Sequence, residues 1–148
     1  MFKHILVATD GSALAAHAVE KALTLAKALS ARVTAVHVTE LWSATEMASK
    51  ASMGELHPVE DYEARAGAYA RKILDAAANS ASAAGVPCET LHVADARPAD
   101  GIVSTATKNN CDLIVMASHG RRGVSRLVLG SQASEVLAHS KIPVLICP

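Results

Sequence analysis

Two polar segments combine residue types that suit the binding of a phosphate group. Residues 9–12 (TDGS) follow the apolar run 5–8, and residues 117–120 (ASHG) follow a second such run. The second segment leads on to Gly130 and Ser131, which begin the last predicted helix. Glycines allow backbone N–H groups to approach an anion closely, and the first N–H groups of a helix favour a negative charge. The pattern therefore predicts a phosphate-binding loop in the final third of the chain.

Several side chains in these segments have two interpretations. Asp10 can either cap the first helix or contact a ligand, and Ser131 can either cap the last helix or hydrogen-bond a phosphate oxygen. Arg121, Arg122 and Arg126 add positive charge to the loop, although arginines in a long loop are more often solvated than bound to a ligand. The residues alone leave these alternatives open.

The hydrophobic pattern alternates between short strands and longer helices. It predicts strands at 5–8, 33–38, 90–93, 112–117 and 144–146, helices over 13–29 and 59–84, and shorter helices that begin at Pro98 and Ser131. This order predicts one Rossmann-like α/β domain over residues 1–148. Its doubly wound, mainly parallel five-stranded sheet has the order 3-2-1-4-5, with helices on both faces.

The predicted topology places a ligand crevice between strands one and four. Ligands of such sheets bind outside the carboxyl ends of the strands, at the point where the direction of winding reverses. Both polar segments described above follow those two strands. Residues 39–61 are longer than a structureless loop should be, and we expect a partly helical or mobile flap there.

Composition argues against several classes of protein. Lys and Arg together number 14, as do Asp and Glu, so no net charge attracts nucleic acid or an anionic membrane. The chain has no apolar stretch long enough to span a membrane and no signal-peptide pattern. Cys88, Cys111 and Cys147 are widely separated, which favours free thiols and predicts a cytoplasmic protein.

Catalytic motifs give no support for an enzyme. The sequence contains no H-E-x-x-H, no G-x-S-x-G and no G-x-x-x-x-G-K-[ST], so the zinc protease, hydrolase and P-loop mechanisms lack their signatures. No general base stands beside a residue that would position water. We expect a protein that is not an enzyme, or at most a slow ATPase.

The residues around both polar segments resemble the universal stress protein family. The opening 5–12 (ILVATDGS), the VHV of the second strand and the C-terminal part from 116 to 146 are similar to the family's sequences. The nucleotide-binding branch carries a glycine, two residues, a glycine, nine residues, a glycine and then serine or threonine. Gly120, Gly130 and Ser131 match that pattern.

Ala117 departs from the pattern, because it stands where the branch has its first glycine. An added methyl group costs little if the backbone has an ordinary φ, whereas it would obstruct a turn with φ above zero. The departure therefore bears on whether this chain retains nucleotide binding.

The resemblance implies a site for ATP, with Mg²⁺ held through the phosphates near Asp10. It implies that Asp10 contacts the ribose, the phosphates or their metal, and that the Val38 backbone contacts the adenine. The full set of candidate nucleotide-binding residues is Ala8, Thr9, Asp10, Val38, Met116, Ala117, His119, Gly120, Arg121, Gly130, Ser131 and Gln132.

The last strand predicts a homodimer. Val144, Leu145 and Ile146 form a short apolar strand which, at the edge of a sheet, would expose unpaired backbone groups. Pairing with a second copy about a two-fold axis would cover them, and family members are similar in forming dimers through this strand.

Three other interpretations compete with a nucleotide-binding regulatory module. The first is a dimeric interaction protein of the same fold without nucleotide binding, which Ala117 favours. The second is an adenylyl-transferring or electron-carrying enzyme, for which the chain offers no substrate domain. The third is a response-regulator receiver, which would need an acidic cluster after strand one and an aspartate after strand three.

Overall fold

The computed structural model describes residues 1–121 and 128–148. Arg122, Gly123 and Arg126, which the sequence placed in the phosphate-binding loop, lie outside the described residues. Within these described ranges, five strands and five helices follow one another in the order β1 His4–Ala8, α1 Ala13–Leu29, β2 Arg32–Val38, α2 Ala44–Ser52, α3 Pro58–Ala84, β3 Cys88–Val93, α4 Pro98–Lys108, β4 Leu113–Ala117, α5 Ser131–His139 and β5 Val144–Cys147.

The strands form one parallel sheet in the order β3-β2-β1-β4-β5, which confirms the predicted topology. β1 pairs with β2 and with β4, so that Leu6 lies opposite Thr34 on one side and Ile114 on the other. Both central strands are continuous apolar runs because helices cover both faces of the sheet.

Two apolar layers, one on each face, hold the helices to the sheet. α1 and α3 pack on one face through small side chains such as Ala18, Ala22 and Ala77, and α4 and α5 pack on the other through Ile102 and Val136. Small side chains let the backbones approach closely. None of the helices in the described ranges is long and apolar enough to cross a membrane.

Residues 39–61 are partly helical, as the sequence predicted. α2 occupies the middle of this segment, and its N-cap is Ser43, whose hydroxyl accepts a hydrogen bond from the backbone N–H of Glu46. Among the residues of α2 only Met47 is buried, so this helix contributes little to the core.

Candidate functional site

A cleft of about 900 Å³ opens at the carboxyl ends of β1 and β4, where the topology predicts a crevice. The structure brings every candidate residue from the sequence to its walls: Ala8, Thr9, Asp10, Val38, Met116, Ala117, His119, Gly120, Arg121, Gly130, Ser131 and Gln132. A second cavity, of about 640 Å³, lies at the amino ends of the strands and is lined by none of them.

Asp10 joins the two loops of the cleft. Its Oδ1 accepts a hydrogen bond from the backbone N–H of Ser12 at 2.9 Å, and its Oδ2 accepts one from the backbone N–H of Arg121 at 2.8 Å. The interpretation of Asp10 as the cap of the first helix is wrong, because Ser12 is the N-cap of α1 and its hydroxyl accepts from the N–H of Ala15. Asp10 stands two residues before that cap, too early to cap the helix itself.

Gly120 and Gly130 allow the two loops to meet. A Cβ at Gly120 would lie 2.8 Å from Oδ2 of Asp10, and a Cβ at Gly130 would lie 2.6 Å from the carbonyl oxygen of Ser118. The N–H of Gly130 donates to that same carbonyl at 2.9 Å. Gly130 is therefore needed for the fold of the loop, whether or not an anion binds there, and a side chain at Gly120 would displace the Asp10 carboxylate.

The N-terminus of α5 opens into the cleft without a side-chain cap. Gly130 is its N-cap and has no side chain to satisfy the first N–H groups, and Gly130, Ser131 and Gln132 line the cleft. The interpretation of Ser131 as the cap is wrong, because Ser131 is the first helical residue. Free N–H groups and the positive end of the helix dipole make such a terminus suitable for an anion.

Gln132 and His119 contact protein atoms next to the cleft. Oε1 of Gln132 accepts a hydrogen bond from the N–H of Ala99 at 3.1 Å, which ties α5 to the first turn of α4. Nδ1 of His119 lies 3.0 Å from the Ser118 hydroxyl, and its Nε2 hydrogen-bonds the carbonyl of Val128. His119 therefore ties the beginning of the glycine-containing loop to its end.

Ala117 fits its position without backbone strain. It is the last residue of β4, lies opposite Cys147, and does not have a positive φ. The residue is 8% exposed and belongs to the apolar layer that packs against α1 and α3. The fold therefore accommodates alanine at the first glycine position of the pattern.

Apolar side chains also line the cleft, among them Val38, Ala8 and Met116. A Cβ at Gly101 in α4 would lie 2.9 Å from both methyl groups of Val38. Gly101 thus allows α4 to approach the end of β2 and gives Val38 its place on the wall. The role of Gly101 could not be predicted from the sequence, because a lone glycine inside a helix does not indicate what it packs against.

Sequence analysis also missed Tyr69, which reaches the cleft from α3. Its hydroxyl donates to the carbonyl oxygen of Asp10 at 3.1 Å, and the Cζ of Arg121 lies 4.8 Å from the centre of its ring. The His37 ring meets it edge-on at 5.8 Å. Tyr62 and Tyr69 stand seven residues apart on one stripe of α3, which was the available signal, and both line the cleft.

His37 is a hydrogen-bonded histidine in the wall of the cleft. It is 8% exposed, and its Nδ1–H donates a hydrogen bond to the carbonyl oxygen of Thr9 at 2.9 Å. Its ring stacks on that of His92 at 6.0 Å. Burial, followed by the nearby His37, lowers the pKa of His92 below its ordinary value.

The cleft offers few protein ligands for a metal ion. Within residues 1–121 and 128–148, no three His, Cys, Asp or Glu side chains come together in a way that could hold a metal. Asp10 is the carboxylate beside the glycines, and each of its oxygens retains a lone pair after the two backbone bonds. One carboxylate together with phosphate oxygens is a common way to hold Mg²⁺.

Comparison with known proteins identifies the family. The family model of the universal stress protein family matches residues 1–148. The chain belongs to the universal stress protein family. Universal stress protein YxiE of Bacillus subtilis is 33% identical over 147 residues, which cover 99% of each chain.

Solved universal stress protein structures share this fold. A family protein from Burkholderia pseudomallei has 28% identity and a TM-score of 0.75, with 99% of this chain and 96% of that chain covered. A universal stress protein solved in complex with cAMP has 27% identity and a TM-score of 0.74, with 99% and 97% covered. The sheet order and the helices on both faces are therefore those of the family.

Proposed function

We propose that this universal stress protein binds an adenine nucleotide, ATP in particular, and acts as a regulatory module in the response to stress. The observation that carries the proposal is the start of α5, whose N-cap Gly130 has no side chain and whose first residues line the cleft. The related protein solved with cAMP binds an adenine nucleotide, which supports the same ligand class here.

The two ends of the cleft suit the two ends of a nucleotide. The apolar wall of Val38, Ala8 and Met116 suits a base, and backbone groups of Val38 would contact its edge. Gly120, Gly130 and Ser131 lie at the other end, where N–H groups suit phosphate. Asp10 would hold a phosphate-bound Mg²⁺ through the lone pairs that its backbone bonds leave.

We propose a regulatory role rather than an enzymatic one. Both oxygens of the Asp10 carboxylate already accept backbone N–H bonds, and the sequence offers no general base beside a residue that would position water. Any ATP hydrolysis would therefore be slow. The proposal includes the cytoplasm as the compartment, because Cys88, Cys111 and Cys147 are free thiols.

The first experiment identifies any nucleotide that copurifies, by denaturing the protein and separating the released material by chromatography. Calorimetric titration of ATP with Mg²⁺ into the emptied protein then measures affinity. Gly130→Ala places a methyl 2.6 Å from the Ser118 carbonyl and displaces the loop. We expect ATP binding to weaken at least about ten-fold, the factor for one lost hydrogen bond to a charged group.

Two further glycine variants separate a local effect from a general one. Gly101→Ala would displace Val38 and should also weaken ATP binding, through the base end of the cleft. Gly67→Ala is the matched control, because its Cβ would meet nothing within 4 Å. No binding by folded wild-type protein at millimolar ATP would refute the proposal.

A second candidate function is that of a dimeric interaction protein without nucleotide. Leu145 on β5 and Leu137 on α5 are 40% and 44% exposed, which favours a partner surface on this side of the sheet. The two candidates share the proposed dimer through Val144, Leu145 and Ile146, and the calorimetric titration distinguishes them.

A further inference from the structure

We propose that Tyr69 is a positioning residue that holds the Arg121 guanidinium over the phosphate end of the cleft. This inference rests on the proposed function, because it assigns a role within the same site. Tyr69 belongs to α3, far along the chain from the glycine-containing loop, yet its ring lies beneath the Arg121 side chain.

Contacts with three neighbours fix the position of the Tyr69 ring. Its hydroxyl donates to the carbonyl of Asp10, and its ring meets the edge of His37, which is itself tied to the carbonyl of Thr9. Gly11 has a φ of +80°, and a Cβ there would lie 3.1 Å from the Tyr69 hydroxyl. The ring therefore packs against the backbone that follows β1.

Arg121 is held at both its backbone and its side chain. Its N–H donates to Oδ2 of Asp10 at 2.8 Å, and its guanidinium lies 4.8 Å from the centre of the Tyr69 ring. An exposed arginine normally loses conformational freedom when it binds an anion. The stacked arrangement removes much of that freedom beforehand and leaves the N–H groups at the edge of the guanidinium able to donate.

The contribution of this pair depends on the charge of the ligand. Arg121 follows Gly120, beside the loop whose far end is Gly130, so its charge acts on the phosphates rather than on the base. Removing the Tyr69 ring should weaken binding of ATP and leave binding of adenosine unchanged. A residue that only shapes the cleft would affect both ligands alike.

The test compares ATP and adenosine binding by calorimetry in Tyr69→Leu, Arg121→Ala and the double variant. We expect Tyr69→Leu to weaken ATP binding about two- to five-fold, the range for an exposed cation–π contact. Arg121→Ala should weaken it at least as much, because it also removes the charge that acts on the phosphates. The affinity of the double variant for ATP should equal that of the single variant that binds ATP less tightly, because both substitutions remove the same interaction. Tyr69→Phe keeps the ring and should retain most of the ATP affinity.

Tyr62→Leu is the matched control, because Tyr62 lies on the same stripe of α3 and lines the same cleft, and its hydroxyl donates to the carbonyl of Glu40. Its ratio of ATP to adenosine affinity should equal that of the wild type. Multiplicative losses in the double variant, or an equal loss for adenosine, would overturn the positioning role and leave the nucleotide site intact. A wild-type protein that binds neither ligand would overturn the proposed function itself, and the role of Arg121 with it.

Discussion

At the scale of single residues, Asp10 connects the end of β1 to the loop after β4. Each of its oxygens accepts one backbone N–H, from Ser12 and from Arg121. A carboxylate that accepts two backbone bonds is fixed in position, so a ligand or its metal ion would meet it in one orientation. The same residue therefore serves the fold and the proposed site.

A substitution at Ala117 tests whether the departure from the family's glycine pattern affects ATP binding. Its methyl group packs in the layer beneath α1 and α3, and its backbone has an ordinary φ. We expect Ala117→Gly to lower the free energy of unfolding by about 1–2 kcal/mol, because glycine loses more entropy on folding and the buried methyl group is lost. ATP affinity should not change. Urea unfolding and calorimetry measure the two quantities, and tighter ATP binding by the glycine variant would contradict this account.

His4 makes the stability of the protein depend on pH. Arg32 can only donate to Nδ1 of His4, so Nε2 carries the hydrogen and donates to the Thr34 hydroxyl at 2.7 Å. Burial, followed by the Arg32 cation, lowers the pKa of His4 below its ordinary 6.5. Below pH 6.5 the unfolded chain takes up a proton at His4 while the folded chain does not, so stability falls as pH falls towards the folded pKa.

The contribution of His4 to the slope of the free energy of unfolding against pH is at most about 1.4 kcal/mol per pH unit, the value for one proton. Urea unfolding between pH 7.5 and 5 should show it, and His4→Gln should reduce it. His17→Gln is the control, because the His17 side chain is 65% exposed on α1. An unchanged slope in the His4 variant would show that another group is responsible.

The sequence predicted the parts of the site that are local in the chain and missed those that depend on packing. Asp10, Gly120 and Gly130 follow strands or begin a helix, so their types and spacing indicate a loop near a ligand. Tyr69 and Gly101 acquire their roles only when α3 and α4 pack beside those loops. No pattern within α3 or α4 specifies which residue of another element lies opposite.

At the scale of elements, the sequence predicted the sheet well and its margins less well. β3 begins at Cys88, two residues before the predicted start. It is an edge strand, and its exposed Glu89 and Thr90 do not form an apolar run that would predict a strand. α2 carried a signal that was not used, since Ser43 and Glu46 have the spacing of a capping box.

The caps of α1 and α2 should differ in their effect on stability. Ser12 and Ser43 each accept an N–H bond from the residue three positions on, but α1 buries a full apolar stripe and α2 buries only Met47. Ser12→Ala should cost about 1 kcal/mol of global stability. Ser43→Ala should leave the urea midpoint unchanged and reduce amide protection within α2.

Hydrogen exchange and urea unfolding of the same two variants check this difference. An equal drop in the midpoint for Ser43→Ala would show that α2 unfolds together with the core. That result would also change the interpretation of residues 39–61, because a helix that belongs to the cooperative core is not a flap that opens over the cleft by itself.

At the scale of the whole molecule, the sheet has two edges of different character. β3 carries exposed polar residues, which suit contact with water. In the part of the chain that the structure describes, β5 pairs only with β4, and its Leu145 is 40% exposed. An apolar edge strand is normally covered, so we expect a partner to cover the edge at β5.

We predict that two copies of the chain form a dimer through β5, and a charged side chain at Leu145 tests this prediction. We expect wild-type protein to sediment as a dimer at micromolar concentration, because β5 strands that pair about a two-fold axis satisfy each other's backbone groups and bury both leucines. Leu145→Glu would place two carboxylates in that interface and should give a folded monomer. Leu56→Glu is the matched control, since Leu56 is 87% exposed between α2 and α3, away from β5, and that variant should remain a dimer. A wild-type monomer would refute the dimer, and a dimeric Leu145→Glu variant would place its interface elsewhere on the molecule.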